Sequence, residues 1–432
     1  MTGSPGGPLP RSLLPLTADS PSGSLCVGGV DLCRLAAEVG TPLFVYDEAH
    51  LRARCREARQ AWGDGAAYAT KAFLCRAMAA LAHDEGLCLD VSTGGELHVA
   101  LAAGVPADRL VMHGSNKSDD ELTAALAAGV GRVVVDSSDE LDRLERLVPA
   151  TGVRPPAVLL RVTPGVEAHT HEYVRTGQDD SKFGFGLASG MATEAVERAR
   201  NLEDKGVLAL KGVHAHIGSQ IFLLESFDAE VEALAGWFIP LGLEELCLGG
   251  GLGVPYVAGE SAPSIADWAA EVRTACTRVG IPDSVRLSAE PGRSIVAGAA
   301  LTLYSVGTIK RLPGIRTYVS VDGGMSDNPR PVLYGSGYEA FLPRAVDADR
   351  PFVVTVVGKH CESGDVVVPT AWLPADTRVG DILATPVTGA YGHSMASNYN
   401  KVPRPPVVFV ADGRHRVVVR RETYDDLLRL DA

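Results

Sequence analysis

The 432-residue chain lacks most features of secreted, metal-binding, membrane and nucleic-acid-binding proteins. Its eight cysteines are scattered without a CxxC pair, which argues against a disulfide framework or a metal site and favours a reducing cytosol. No apolar run is long enough to span a bilayer. A net charge of -13 without a Lys/Arg run argues against a nucleic-acid or membrane surface. We therefore expect a globular cytoplasmic protein.

The first residues also lack a targeting signal. Residues 1–24 are rich in Gly, Pro and Ser, and no basic segment followed by a long apolar core occurs there. We interpret this stretch as a flexible lead-in and not as a signal peptide.

Eight short strand-like runs alternate with helix-like segments. They begin near Ala66, Cys88, Leu110, Arg132, Val158, Leu210, Glu245 and Arg286. A doubly wound open sheet also alternates in this way, but the count of eight and the lack of a GxGxxG after the first run favour an α/β fold of the TIM type, a (β/α)8 barrel over residues 41–300.

After residue 300 the pattern changes, because strand-like runs follow one another with turns and little helix. This pattern predicts an all-β domain over residues 301–432, which residues 25–40 would join. Residues 24–30 could add a strand to it, and a short helix from Tyr424 to Leu430 is expected near the end.

Lysine is scarce, with only eight residues in the chain, and Lys71 follows the first barrel strand in the sequence YATKA. Most lysines near strands are solvated. Here we expect apolar neighbours to bury the amine, which would favour the free-base form that makes Schiff bases. Lys182 is a weaker rival because it lies in a long loop.

Glycine-rich loops follow strands seven and eight of the predicted barrel, at Gly249–Gly253 and at Glu290-Pro291-Gly292-Arg293. Barrels commonly bind phosphate there through bare backbone amides. Ser219 could add a hydroxyl. Glycines also serve plain turns, but together with a lysine on the first strand these loops suggest pyridoxal phosphate as the cofactor.

Other residues can be assigned on chemical grounds. Glu290 could keep the pyridine nitrogen protonated, and His216 could stack on the ring, although a core histidine is the plainer alternative. Asp90 could orient that histidine or be a polar strand end. Arg293 and Arg330 could each bind a carboxylate with two hydrogen bonds.

A dense polar turn, Cys361-Glu362-Ser363-Gly364-Asp365, lies between two β-branched runs. A solvated hairpin tip is the plain interpretation. The alternative is a proton donor beside a carboxylate that binds a cationic substrate.

The chain resembles the diaminopimelate decarboxylase branch of the pyridoxal-phosphate-dependent ornithine/arginine/diaminopimelate decarboxylase family, which has the alanine-racemase-like fold. The resemblance runs from about residue 41 to the end. The matching motifs are YATKAF (68–73), HIGSQ (216–220), GGGLG (249–253), EPGR (290–293), DNPRPVLYG (327–335), CESGD (361–365), GAYGHSMASNYN (389–400) and RRETYDDLL (420–428).

The resemblance implies roles for individual residues. Lys71 would carry the cofactor, and Cys361 would be the proton donor. Cofactor contacts are implied for His216, Ser219, Gly250 or Gly251, Glu290, Pro291, Gly292, Arg293 and Tyr391, and we add Asp90 to the predicted cofactor residues on chemical grounds. Substrate contacts are implied for Arg293, Arg330, Tyr334, Glu362 and Tyr391. The CESGD loop of family members reaches into the partner subunit's site, which implies a homodimer.

The implied reaction is decarboxylation of meso-2,6-diaminopimelate to L-lysine and CO2, the last step of lysine biosynthesis. Three alternatives stay open: a related decarboxylase of secondary metabolism acting on another amino-acid derivative, a pyridoxal-phosphate racemase, and a catalytically silent regulatory homologue. A racemase would need a tyrosine base where this chain has the CESGD loop. A silent homologue is disfavoured because Lys71, Glu290 and Cys361 are all present.

Overall fold

A computed structural model describes residues 6–166 and 181–432. The chain divides into two compact units. The barrel unit comprises residues 54–253 and 262–294, and the β unit comprises residues 1–53, 254–261 and 295–432. Among the described residues, every helix is too short or too polar to cross a bilayer.

The strands are numbered in chain order. They are β1 (Cys26–Val27), β2 (Val30–Asp31), β3 (Leu43–Asp47), β4 (Ala67–Ala69), β5 (Cys88–Val91), β6 (Leu110–Met112), β7 (Arg132–Val135), β8 (Ala157–Thr163), β9 (Phe185–Gly186), β10 (Ala209–Ala215), β11 (Glu245–Cys247), β12 (Arg286–Ser288), β13 (Ala300–Leu312), β14 (Arg316–Val321), β15 (Phe352–Val357), β16 (Val366–Leu373), β17 (Ile382–Pro386), β18 (Val407–Ala411) and β19 (Arg414–Val419).

Several of the helices begin and end at residues that suit helix termini. They are α1 (Leu32–Val39), α2 (Glu48–Trp62), α3 (Arg76–Asp84), α4 (Gly94–Ala102), α5 (Asp119–Ala128), α6 (Ser138–Thr151), α7 (Met191–Asp204), α8 (Glu225–Phe238), α9 (Ile265–Val279), α10 (Arg293–Val296), α11 (Arg330–Tyr334) and α12 (Tyr424–Leu428). In α5, for example, Ser118 and Glu121 form a reciprocal capping box at the start, and Gly129 ends the helix in the left-handed conformation.

Eight parallel strands form the barrel in the order β4-β5-β6-β7-β8-β10-β11-β12, with the short β9 paired to β8. A parallel bridge between Ala66 and Ala289 joins the first strand to the last. The eight runs predicted from the sequence are these eight strands, so the predicted TIM-type barrel is confirmed. Because all eight are parallel, their carboxyl ends meet at one rim, which is where barrel enzymes place their sites.

A largely antiparallel sheet dominates the β unit, in the order β16-β15-β14-β13-β3-β18-β19, with β17 paired to β13. The predicted β domain after residue 300 is therefore present, and β3 joins its sheet from the early part of the chain. Residues 24–30, which could add a strand to the β domain, contain β1 and the start of β2, and these two strands form a separate two-stranded sheet within the β unit.

The expected lead-in, residues 1–24, lies partly outside the described residues, which begin at residue 6. Leu9, Leu13 and Leu14 are buried, and the backbone N–H of Thr17 donates to Asp47 Oδ2 at 2.8 Å. The described part of this segment is therefore packed within the β unit. The expected domain boundaries near residues 41 and 300 stay a prediction.

Candidate active site

Lys71 lies just beyond the carboxyl end of β4, in a single 3-10 turn from Thr70 to Ala72. Thr70 and Ala72 are buried, but Lys71 itself is exposed. The expectation that its neighbours would bury the amine is therefore wrong, because the turn directs only the flanking side chains inward. The rival Lys182 is also exposed and lies over the Phe183 ring, with Nζ 4.9 Å from the ring centroid.

Four ionisable side chains meet inside the barrel near its carboxyl rim. His113 Nε2 lies 2.8 Å from Glu290 Oε1, and His214 Nε2 lies 3.1 Å from Glu290 Oε2. Asp90 Oδ1 lies 3.7 Å from His113 Nε2. All four residues are at most 8% exposed, so their protonation states depend on one another more than on solvent.

The two histidines differ in charge state. Burial alone would lower the pKa of His113, but the carboxylates of Asp90 and Glu290 outweigh it and raise that pKa. For His214 burial prevails over Glu290 and lowers the pKa to about 4. His113 is therefore the more readily protonated partner of Glu290, and neutral His214 donates a second hydrogen bond.

The two carboxyl groups are shifted in opposite directions. Burial would raise the pKa of Glu290, but the charges and hydrogen bonds of His113 and His214 hold it well below its ordinary value. Burial raises the pKa of Asp90 to about 6, against the opposing charge of His113. Glu290 is thus a fixed anion, and the sequence-predicted carboxylate for a pyridine nitrogen is held in the required state.

His216 follows β10 and is partly buried. Its Nδ1 accepts a hydrogen bond of 3.1 Å from the backbone N–H of Gly250, which fixes the ring. Burial, and then the positive charges of Lys71 and Arg161, lower its pKa well below the ordinary value. A neutral imidazole suits stacking on an aromatic ring.

The glycines after β11 let three loops approach closely. A Cβ on Gly250 would lie 2.3 Å from the carbonyl oxygen of Glu290, and one on Gly251 would lie 2.3 Å from that of Gly218. Neither site has room for a side chain. No side chain at these positions would block a phosphate from approaching the loop, although the Gly250 N–H already donates to His216.

Arg293 begins α10, and its Nη2 donates to Ser219 Oγ at 2.9 Å. Pro291 and Gly292 precede it and are buried. A Cβ on Gly292 would lie 2.9 Å from the Cβ of Ala69 on β4, so this loop packs tightly on the strand that leads to Lys71.

These observations fit pyridoxal phosphate. The glycine cradle, an anionic Glu290, and Asp90 Oδ1, which is buried without a hydrogen-bond partner among the described residues, are the features that such a group needs. The ligand atoms of His113, His214 and Glu290 also lie within 4.8 Å of one another, a spacing that a metal ion tolerates. Direct hydrogen bonds to the carboxylate, however, already occupy the facing histidine nitrogens.

In the β unit, Arg330 is buried in a cage of two tyrosines. Its Nη1 donates to the Tyr338 hydroxyl at 2.7 Å, and its Cζ lies 4.3 Å from the centroid of the Tyr256 ring. The two rings pack edge to face at 5.3 Å. Among the described residues no carboxylate forms an ion pair with Arg330, so its guanidinium is poised for an anionic ligand.

The CESGD turn connects β15 and β16. Cys361 and Glu362 are exposed, whereas Asp365 is buried and accepts hydrogen bonds of 2.7 Å from the Met325 N–H and 2.8 Å from the His360 N–H. The Cys361 N–H donates to Asn400 Oδ1 at 3.1 Å. The turn is therefore anchored at its base while its thiol and first carboxylate face outward.

The remaining predicted residues are also in the β unit. Tyr334 ends α11 and is partly buried, and Tyr391 follows β17 with a φ of 59°. The structure thus gathers the predicted cofactor residues other than Tyr391 in the barrel unit, and places the predicted substrate residues other than Arg293 in the β unit.

Sequence reasoning missed the partners that set these charges. His113 follows β6, His214 lies on β10, and Tyr338 and Tyr256 contact Arg330. His214 could have been found, since it lies two residues before His216 and strand alternation gives both the same face. No comparable signal marks the tyrosines.

A family model described as "Pyridoxal-dependent decarboxylase, pyridoxal binding domain" matches residues 48–297. The chain is 48% identical to the diaminopimelate decarboxylase of Mycobacterium tuberculosis over 430 residues, 95% of each chain. It is also 48% identical to that of Actinosynnema pretiosum, over 100% of this chain and 98% of the relative.

Solved structures agree in fold. The diaminopimelate decarboxylase of M. jannaschii in co-complex with L-lysine superposes with a TM-score of 0.87 at 32% identity, covering 96% of this chain and 98% of that one.

Proposed function

This chain belongs to the diaminopimelate decarboxylases, a family of pyridoxal-dependent decarboxylases, and on that premise we propose that it converts meso-2,6-diaminopimelate to L-lysine and CO2. In this reaction the bond between the α carbon and one carboxylate breaks, CO2 leaves, and a proton takes its place. The cofactor is pyridoxal phosphate.

The buried Arg330 is the observation that supports diaminopimelate as the substrate. Its guanidinium has tyrosine partners but no carboxylate among the described residues, and the distal end of diaminopimelate bears one. Ornithine and lysine lack this group and would leave the arginine buried without its anion, at a cost of roughly 1 to 3 kcal/mol. Exposed Glu362 complements the distal ammonium.

When bound, pyridoxal phosphate supplies an electron sink for the charge left by departing CO2. Lys71 Nζ would be the point of covalent attachment, and the glycine loop at Gly250 and Gly251 would hold the phosphate. His216 would pack against the ring. Glu290, held anionic by two histidines, keeps a proton on the ring nitrogen.

Cys361 delivers the proton that replaces CO2, because a thiol can act as a general acid. The exposure of Cys361 and Glu362 supports a role in the site of a partner subunit. The protein is then a homodimer in which each subunit completes the other's site.

The proposal on substrate is tested by CO2 release from meso-diaminopimelate, ornithine, lysine and arginine. We expect kcat/KM for diaminopimelate to exceed the others by at least about 100-fold, since a site built around a charged partner rejects analogues that lack it. Equal or greater turnover of ornithine or lysine would contradict the proposal and favour the related-decarboxylase alternative.

Cofactor attachment is tested by visible absorbance. Wild-type protein should show the band of lysine-bound pyridoxal phosphate, Lys71→Ala should lose it, and Lys182→Ala, which removes another exposed lysine, should keep it. A band that survives in Lys71→Ala refutes the attachment.

The shared site is tested by mixing two inactive variants. Lys71→Ala and Cys361→Ala subunits should regain roughly a quarter of wild-type activity when reassociated, because one site in a mixed dimer has both groups. No recovery in a verified mixed dimer would show that each subunit uses its own thiol.

We place the enzyme in the cytoplasm. All eight cysteines are free thiols, which supports a reducing compartment. A protein recovered from cells with oxidised cysteines would contradict this placement.

A further inference from the structure

A cavity of about 350 Å³ lies within the amino-terminal half of the barrel, on the opposite side from the carboxyl rim. Its lining includes Asp64 and Arg286, whose side chains are 71% and 43% exposed, and also the buried Glu290. The cavity therefore reaches from the amino-terminal mouth of the barrel to the Glu290 carboxylate of the candidate site.

The cavity exists because one inward layer of the barrel has small side chains. Ala67 and Cys88 are register partners on β4 and β5, and Cys247 and Ser288 are register partners on β11 and β12. All four line the cavity. Barrel interiors are ordinarily filled by bulky branched residues, and Val111 and Leu159 are such residues in this lining; the four small side chains leave space beside them.

Strand alternation arranges polar groups in steps along the cavity. Glu245 and Cys247 share one face of β11, and Ser288 and Glu290 follow Arg286 at two-residue intervals along β12 and beyond it. Register pairs Glu245 with Arg286 at the mouth and Cys247 with Ser288 one step deeper. Glu290 is the next step.

Hydrogen bonds connect these steps. Arg132 Nη2 donates to Glu245 Oε2 at 3.0 Å, and Ser288 Oγ donates to Glu245 Oε1 at 3.0 Å. Deeper in the cavity, the Cys247 thiol donates to Glu290 Oε1 at 3.5 Å. Because Ser288 and Cys247 each donate away from the other, water in the cavity would complete the path from the mouth to Glu290.

We propose that this cavity is a water and proton entrance that connects Glu290 and its two histidines with bulk solvent through the amino-terminal mouth of the barrel. The cavity is polar and large enough for several waters. Each proton or deuteron that enters from solvent is matched by one that leaves His113 for solvent along the same path, so the exchange needs no co-reactant. Protons then equilibrate when the carboxyl rim is covered by cofactor and substrate.

The test measures how fast the ring N–H of His113 exchanges with D2O in holoenzyme labelled with 15N-histidine, the signal being assigned by its loss in His113→Asn. Ala67→Ile and Cys88→Leu fill the small layer. We expect each to slow exchange at least about ten-fold, because solvent then reaches the buried N–H only through rarer openings.

Cys276→Leu is the matched control. It makes the same cysteine-to-leucine change in a different cavity of about 270 Å³ beside α9, and exchange should stay at the wild-type rate. Folding is checked by circular dichroism and Tm, and Ala67→Val replaces a variant that fails to fold.

Two results would contradict the proposed entrance. One is a wild-type exchange rate of the His113 N–H in folded Ala67→Ile and Cys88→Leu. The other is equal slowing in Cys276→Leu, which would mean that exchange reports opening of the whole barrel. The readout involves no substrate. A failure of the decarboxylase assignment is therefore distinguishable from a failure of the entrance.

Discussion

Each unit contains one buried charged side chain of the candidate site, and the two have different kinds of partner. In the barrel unit, Glu290 is 8% exposed and has His113 and His214 at 2.8 and 3.1 Å. In the β unit, Arg330 is 5% exposed and has the Tyr338 hydroxyl and the Tyr256 ring, with no carboxylate ion pair among the described residues.

The difference separates a charge whose state the protein fixes from one that the substrate must complete. A buried ion without a counterion costs several kcal/mol, so an enzyme retains one only where a ligand supplies the missing charge. Glu290 is held ready for a cationic ring nitrogen by its histidines. Arg330 is held ready for an anion by partners that carry no charge.

Glu290→Gln should have the largest effect, because it destroys the fixed anion itself. An amide cannot keep a proton on the ring nitrogen, so we expect kcat for CO2 release to fall by at least about 100-fold while the protein still folds. Steady-state kinetics on meso-diaminopimelate measures this.

The matched control is Glu230→Gln in the same unit. Glu230 lies on α8, is fully buried, and neither of its side-chain oxygens has a hydrogen-bond partner among the described residues. Burial raises its pKa well above the ordinary value, which favours the neutral acid, so we expect the amide to change little. A comparable loss of kcat in both variants would refute the special role of Glu290.

Arg330→Met tests the other side of the comparison. Loss of a charged hydrogen-bond partner should lower kcat/KM for diaminopimelate by about 10- to 100-fold, with a much smaller change for lysine, which has no distal carboxylate. Arg350→Met is the control, since Arg350 is a buried arginine of the same unit that already pairs with Glu339 at 3.5 Å. Arg350→Met should lower Tm and change kcat/KM for all substrates alike. The same pattern in Arg330→Met would show that Arg330 does not bind the distal carboxylate.

Periodicity and loop chemistry were enough to predict the barrel, because each strand and its following helix are local patterns. Glu290 and Arg330 were also predicted, since their motifs are contiguous in the sequence. Their partners were not. His113 follows β6 and His214 lies on β10, far apart in sequence, and only barrel closure brings both to one carboxylate.

The exposure of Lys71 was mispredicted for a related reason. Apolar neighbours in a strand would bury the amine, but the strand ends at Ala69 and a 3-10 turn follows. The ends of strands are the least predictable part of a sequence pattern, and in a barrel they are also where the site lies.

The pKa values of His113 and His214 are shifted in opposite directions, and a pH titration should show this smaller effect. In 15N NMR, His214 should stay neutral down to a pH of about 4, and His113 should stay protonated above the ordinary histidine pKa. In Glu290→Gln the pKa of His113 should fall, because only Asp90 then opposes its burial and the charge of Arg161. Identical titration of both histidines near pH 6.5 would contradict this account.

The directions of these two pKa shifts also determine how the stability of the protein depends on pH. His113 has a raised pKa, so its charge contributes stability that is present below the ordinary pKa and is lost as pH rises through the folded value. His214 has a lowered pKa, so it costs stability as pH falls from about 6.5 toward 4. His113→Asn should therefore lose stability mainly on the acid side of neutrality, measured as ΔTm against wild type; a pH-independent ΔTm would contradict the sign.

Tyr338→Phe should have the smallest effect, because it leaves the charge of Arg330 in place and removes only the 2.7 Å hydrogen bond that orients it. Such a bond contributes about 1 kcal/mol, which corresponds to roughly a five-fold rise in KM for diaminopimelate with kcat unchanged. Thr355→Val is the control, since it removes a hydroxyl that donates to the Pro369 carbonyl at 2.9 Å in the same unit. Both variants should lower Tm by a few degrees, and only Tyr338→Phe should change KM. If the two change KM equally, the tyrosine stabilises the unit but does not orient Arg330, and the neutral cage is then no more than packing around an arginine.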